Sequence, residues 1–294
     1  MSNRKVVFLE VNSSYSHSML SYCLIRAYTE QEVPEWSWGH VETTLKGSVP
    51  DTLDELLKQA PDVLLATAYV FNLDFLREVF SRYKRLCPAV KIILGGPSFL
   101  GDNRSFLLAN QFVSAVVRGD ESSVPALLRQ QGNSLPETIP GLCWIAADDK
   151  YFDNGIAAFA EDFDALPSPC DKPYIHQDKP FYQLETSRGC GAQCVFCTSS
   201  CSPGVKYFSL ERVRNDLTAL KTKGFREIRL IDRTFNEDTE RAVNMLRMFY
   251  DEFPEMKFHL EIHPARLKPE LVDCLKQAPH GQLHVEAGVQ SFCP

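Results

Sequence analysis

The 294-residue sequence has no apolar run approaching the roughly 18–20 residues of a membrane span. It also lacks a basic excess: 31 Lys and Arg stand against 38 Asp and Glu, a formal net charge of −7. That balance excludes a nucleic-acid protein working through a broadly basic surface. No internal repeat or low-complexity tract is present. With 15 Gly, 18 Pro and 44% hydrophobic residues, collagen-like and disordered classes are excluded as well. The opening Met1-Ser2-Asn3-Arg4-Lys5 runs straight into a short apolar strand without a signal-peptide cleavage pattern. A cytoplasmic protein is expected, with no nucleic-acid partner and no membrane association. At about 100–200 residues per domain, two domains are expected.

What the sequence has in quantity is cysteine. Ten is high for a cytoplasmic chain, where disulfides are rarely stable. Six are scattered, and free cysteines of that kind commonly behave as small buried apolar residues. The other four, Cys190, Cys194, Cys197 and Cys201, crowd into twelve residues. Such density in a reducing compartment reads as a metal or redox site.

The first part of the chain alternates strand and helix. Apolar runs at Val6–Val11, Val63–Val70, Lys91–Leu94 and Phe112–Val117, with a weaker one near Trp38–Thr43, read as strands. Amphipathic stretches such as Leu53–Gln59 and Leu73–Leu86 separate them. This pattern predicts a doubly wound parallel sheet, flavodoxin-like or Rossmann-like, over residues 1–140. Ligands of such sheets sit at the carboxyl ends of the strands. Here those ends lead into Asn12–Ser18, Tyr69–Asn72, Gly95-Gly96-Pro97 and Arg118-Gly119-Asp120-Glu121-Ser122. Residues 141–179 read as a linker, with a small hairpin at Gly141–Phe152 and a Pro- and Asp-rich crossing.

A second alternation occupies 180–294. Strands are predicted at Tyr182–Ser187, Glu227–Asp232, Lys257–Ile262 and Leu283–Gly288, and helices at Ser209–Lys223, Glu237–Phe253 and Pro269–Gln277. Strand–helix units in series suggest a parallel (βα) barrel or part of one. Four strands do not close a barrel, and the expectation is a truncated reading frame or an excised fragment.

The residues Cys190-Gly191-Ala192-Gln193-Cys194-Val195-Phe196-Cys197 spell C-x₃-C-x₂-C in the loop after the first barrel strand. Close spacing lets one loop wrap several corners of an iron–sulfur cluster, and three ligands leave one iron open. The motif resembles the signature of the radical S-adenosylmethionine (SAM) superfamily, with Phe196 as its aromatic. Glu185–Cys190, Asp232-Arg233-Thr234-Phe235-Asn236 and Glu286–Ser291 resemble the subgroup that carries an N-terminal cobalamin-binding domain.

The resemblance implies that Cys190, Cys194 and Cys197 ligate a [4Fe-4S] cluster whose open iron chelates SAM. Reductive cleavage of SAM would yield a 5′-deoxyadenosyl radical. Methyl transfer to an unactivated carbon is the leading reaction, with radical cyclisation or rearrangement next. Phe196 would lie near the adenine, Asp232, Arg233 and Thr234 near the methionine amino group, and Glu286, Gln290 and Ser291 near the ribose. Cobalamin would lie at Gly95, Gly96, Pro97, Arg118, Gly119 and Asp120. Implied partners are a small-molecule or peptide substrate and an electron donor such as flavodoxin or ferredoxin. Counterparts of the family's fifth and sixth strands are absent.

One departure stands beside this. The cobalamin motif D-x-H-x-x-G is met only by Tyr15-Ser16-His17-Ser18-Met19-Leu20, which lacks its Asp and Gly. A metal-bound His normally has an oriented partner, often a carboxylate, so cobalamin is expected without a protein imidazole on cobalt. Plainer readings are also open. Cys201 would complete a Cys₄ zinc or closed iron–sulfur site in a non-catalytic module, or the chain is an inactive remnant. Asp232 and Glu286 read alternatively as polar caps, Gly95-Gly96 as a tight turn, and His259, His263 and His284 as packing or surface residues.

Overall fold

The structure, a computed structural model, describes residues 4–119, 121–130, 138–192, 194, 195, 197 and 204–289. Its chain divides into two compact units, Met1–Glu161 and Asp162–Pro294.

The first unit runs β1 (Lys5–Asn12), α1 (Leu20–Glu32), β2 (Ser37–Thr44), α2 (Val49–Gln59), β3 (Val63–Thr67), α3 (Leu73–Leu86), β4 (Lys91–Gly95), α4 (Arg104–Ala109), β5 (Ala115–Val117) and α5 (Ser123–Leu128). A hairpin of β6 (Leu142–Ile145) and β7 (Tyr151–Asp153) follows. These strands make one seven-stranded sheet in the order β2-β1-β3-β4-β5-β6-β7. The first five are parallel and the hairpin is antiparallel. β1 and β3 are buried on both faces, as their continuous apolar runs require. The order reverses between β1 and β3, so the loops after those two strands diverge and leave a crevice.

Three features depart from the sequence reading. The hairpin extends the first sheet instead of lying in a linker, because Val116 and Val117 of β5 pair with Cys143 and Leu142. Residues 163–170 likewise are no linker: Phe163 packs on Phe208 at 5.0 Å, and Arg212 donates to Leu166 O at 2.6 Å. The third strand stops at Thr67, three residues short of the apolar run's end. The cause is Asn72, fully buried, which donates to Val11 O and Thr67 O and accepts the Tyr69 N–H at 2.8 Å. That side chain pulls 68–72 out of the sheet and leaves Val70 93% exposed.

The second unit contains β8 (Tyr182–Leu184), β9 (Ser187–Gly189), β10 (Val205–Tyr207), α6 (Leu210–Thr222), β11 (Glu227–Leu230), α7 (Thr239–Glu252), β12 (Lys257–Ile262), α8 (Pro269–Lys276) and β13 (Leu283–Ala287). β8, β11, β12 and β13 form a parallel sheet in the order β13-β12-β11-β8. β9 and β10 form a separate antiparallel pair. Side-chain caps start two helices: Ser209 accepts the Arg212 N–H at 3.0 Å, and Asp238 accepts the Arg241 N–H at 2.9 Å.

One face of the parallel sheet is apolar. Ile228, Leu230, Phe258 and Leu260 are buried there, and the Phe249 ring of α7 stacks on Phe258 at 3.8 Å. The other face is polar, and a single register row across it carries Gln183, Arg229, His259 and His284. Among the described residues, no helix is long and apolar enough to cross a membrane.

Candidate active site

The strand expected at Tyr182–Ser187 is two strands with a break at Glu185-Thr186, and that break builds the site. β8 ends in the parallel sheet, and β9 turns away to pair with β10, Gly189 opposite Val205. The cysteine loop is therefore the connection of a hairpin standing at the carboxyl end of the sheet. Gly189 has φ +94°, and a Cβ there would collide with the Gly204 carbonyl, so the mouth of the hairpin requires glycine.

The break is held by Asp232, which follows β11 and is almost wholly buried. One carboxylate oxygen accepts the Thr186 N–H at 2.7 Å and the Ser187 N–H at 3.1 Å; the other accepts the Thr186 hydroxyl. Burial pushes this carboxyl up, against the hydrogen bonds from Thr186 and Ser187. Thr186 O in turn accepts from Phe208 N and from the Arg241 guanidinium, both at 3.1 Å.

The segment after Asp232 is fixed as well. Phe235 N donates to Glu261 O at 2.8 Å, and Asn236 exchanges hydrogen bonds with both backbone groups of His263. This arch brings the Thr234 hydroxyl to 3.6 Å from the Cys190 sulfur. Ala192 N–H donates to the same sulfur at 3.4 Å, and Cys197 N–H donates to Cys194 O at 3.1 Å. Cys190 and Cys194 are half-buried and Cys197 is exposed; all eight described cysteines are free. An open cleft of about 580 Å³ adjoins the loop, lined by Gly191, Tyr207, Glu237, Asp238 and Lys268 among others. Glu237 pairs with Arg266 at 2.9 Å and has one buried oxygen without a hydrogen-bond partner.

Three thiols within eight consecutive residues are a soft donor set suited to an iron–sulfur cluster or zinc, and backbone and hydroxyl donors already aimed at the Cys190 sulfur suit a ligating thiolate. Phe196, Gln290, Ser291, Asp120 and Cys201 lie outside the described residues. Asp232 is a strut whose oxygens are both engaged, and Arg233 is exposed. Glu286 sits on the polar face at 68% exposure, 3.4 Å from His259 Nε2. The His259 and His284 rings stack at 4.7 Å. Sequence reasoning gave no site role to Thr186, Arg241 or Glu237; Thr186 lies within the Glu185–Cys190 stretch, and no local pattern marks the other two.

In the first unit the residues singled out as ligand contacts are mostly engaged by their own chain. Gly96 has φ +105°, and a Cβ there would lie 2.7 Å from Ala68 O. Gly95 continues β4, and Pro97 opens a single turn that buries Phe99. Gly119 abuts the backbone of Ala157. The buried Arg118 pairs with Asp153 and donates to Gly101 O at 3.1 Å. His17 Nδ1 lies 2.8 Å from the Ser14 hydroxyl. The crevice between β1 and β3 is different: Tyr15, Val70 and Phe71 are exposed at 64%, 93% and 46%, and Tyr69 stacks on Phe71 at 5.2 Å.

No family model matches the chain. It is 29% identical over 199 residues to an uncharacterized methyltransferase of Pyrococcus horikoshii, covering 63% of this chain and 42% of that protein. It is 25% identical over 254 residues to the cobalamin-dependent radical SAM methyltransferase TokK of Streptomyces tokunonensis, covering 79% of this chain and 36% of that protein. Its fold superposes on the radical SAM methyltransferase TsrM of Kitasatospora setae, solved with cobalamin and a [4Fe-4S] cluster bound. That match has a TM-score of 0.73 at 18% identity and covers 98% of this chain and 59% of TsrM. The fold is accordingly shared with TsrM, a doubly wound unit followed by a partial (βα) barrel. This fold match extends over nearly the whole chain, which itself spans less than half the length of the curated relatives it matches.

Proposed function

We propose that this chain is the cofactor-bearing part of a cobalamin-dependent radical SAM enzyme, most simply a methyltransferase acting on carbon. The observation that carries the reading is the cysteine hairpin, locked to the end of a parallel sheet by Asp232, where sites of such barrels lie. Cys190, Cys194 and Cys197 hold the [4Fe-4S] cluster, and the first unit takes cobalamin. When bound, the reduced cluster supplies the electron that cleaves SAM to methionine and a 5′-deoxyadenosyl radical, while cobalamin carries the methyl group.

The protein's own residues supply position. Asp232 sets the direction of β9 and hence of the thiols. The crevice between β1 and β3 offers Tyr15, Val70 and Phe71 as an apolar bed for a planar ring. The polar face bearing Arg229, His259 and His284 is assigned to a small-molecule or peptide substrate. An electron donor of flavodoxin or ferredoxin type is required to reduce the cluster. Free thiols in all eight described cysteines agree with a cytoplasmic setting.

Anaerobic reconstitution followed by iron, sulfide and zinc analysis tests the reading, with electron paramagnetic resonance recorded before and after SAM is added. About four irons per chain and a spectrum altered by SAM are expected, both lost in Cys190→Ala. Stoichiometric zinc would overturn the reading, as would a cluster indifferent to SAM and lost on Cys201→Ala.

A further inference from the structure

We infer that Thr234 tunes the reduction potential of the cluster through a hydrogen bond to the Cys190 sulfur. The inference rests on the cluster reading above. Thr234 is 7% exposed and stands on the arch fixed by Asp232, Phe235 and Asn236, so its hydroxyl has little freedom to leave. That hydroxyl lies 3.6 Å from Cys190 Sγ and 2.8 Å from the Arg233 carbonyl. It has a single proton to donate. A free thiol can supply its own S–H to the threonine oxygen, leaving that proton on the Arg233 carbonyl. A sulfur that ligates iron has no hydrogen to give and carries negative charge, so the hydroxyl becomes the donor and turns to the sulfur.

A donor on a ligating sulfur draws charge off the cluster and stabilises the added electron, which raises the potential. Cys190 would then receive two such bonds, from Thr234 Oγ1–H and from Ala192 N–H at 3.4 Å. The backbone donor survives any substitution at 234, so the threonine is the adjustable part. Thr234 is a positioning and tuning residue, and it supplies no electron or proton to the reaction.

Potentiometric titration of the reconstituted protein tests this, with Thr234→Val as the near-isosteric variant lacking the hydroxyl and Thr234→Ser as the variant that keeps it. The valine protein is expected to hold the same iron and to be about tenfold harder to reduce, ~59 mV more negative for a one-electron couple. The serine protein is expected near the parent potential. Should the valine variant lose iron through misfolding, Thr234→Ala, which introduces no new atom, is read by the same potential shift. Full iron with an unchanged potential in the valine or alanine protein would overturn the inference and leave the cluster reading intact. Absence of a cluster from the parent protein would instead defeat that reading itself.

Discussion

The two units use the carboxyl ends of their parallel strands in opposite ways. In the first unit the polar residues at that edge serve the chain itself: Arg118 is spent on Asp153 and Gly101, Asn72 on Val11 and Thr67, and Glu10 on the Met19 N–H that begins α1. What is left uncovered includes three large side chains, Tyr15, Val70 and Phe71, beside the small polar Ser13 and Ser14. In the second unit the buried polar residues also serve the chain, and what they present is chemical: three thiols on a braced hairpin and an open polar sheet face. On the function proposed above, one strand-edge geometry serves recognition by shape in one unit and by coordination in the other. What differs is which side chains the backbone leaves over.

The sharpest way to break this comparison is to remove the brace. Asp232→Ala leaves the Thr186 and Ser187 N–H groups buried without an acceptor, at about 1–3 kcal/mol for each. We expect roughly 3 kcal/mol of destabilisation confined to the second unit, read as a lower urea midpoint there while the first unit's transition stays put. Equal loss in both transitions would show that Asp232 is not a local strut.

A smaller effect is expected at the apolar crevice. Phe71→Ala removes apolar surface worth about 1.5 kcal/mol when covered, so hydroxocobalamin should bind roughly tenfold more weakly by absorbance titration. In the same assay His17→Ala should leave the cobalt spectrum unaltered, because Ser14 and Ser16 already hold the ring at Nδ1 and the sequence puts Tyr15 where the D-x-H-x-x-G motif has its Asp. Appearance of an imidazole-dependent signal in the parent protein would reverse that assignment.

The smallest expected effect concerns acid. Burial raises the Asp164 carboxyl, but hydrogen bonds from Ser209 and the charges of Arg212 and Arg241 together hold it below its ordinary 3.8. A carboxyl lowered on folding contributes stability above its unfolded value and loses it as pH falls through the folded value. The thermal midpoint of the second unit should therefore fall below pH ~3.8, and the margin over Asp164→Asn should close in that range. A margin constant from pH 6 to pH 2 would exclude the effect.

Much of the architecture was legible because its signals are local. Apolar runs marked the strands, and amphipathic spacing marked the helices between them, whose Ser209 and Asp238 caps the structure supplied. The ends of the elements were less legible. Nothing in Val63–Val70 announces that Asn72 will end the strand at Thr67, and nothing in Tyr182–Ser187 announces a break held from 46 residues away. The hairpin at 142–153 was visible, but its docking on β5 was not, since edge pairing depends on which strand is left open.

The sequence by itself determined the donor set: three cysteines close enough for one loop to present them to one ion or cluster. It also determined the strand–helix alternation and hence the parallel sheets. Only the tertiary structure decided which conspicuous polar residues were available. Asp232 and Arg118 stand out equally in the sequence, and both prove to be braces, while Thr234 reaches a cysteine sulfur. Cysteine spacing is a property of a few consecutive bonds, whereas a buried polar group's partner comes from a distant segment that arrives only when the core closes.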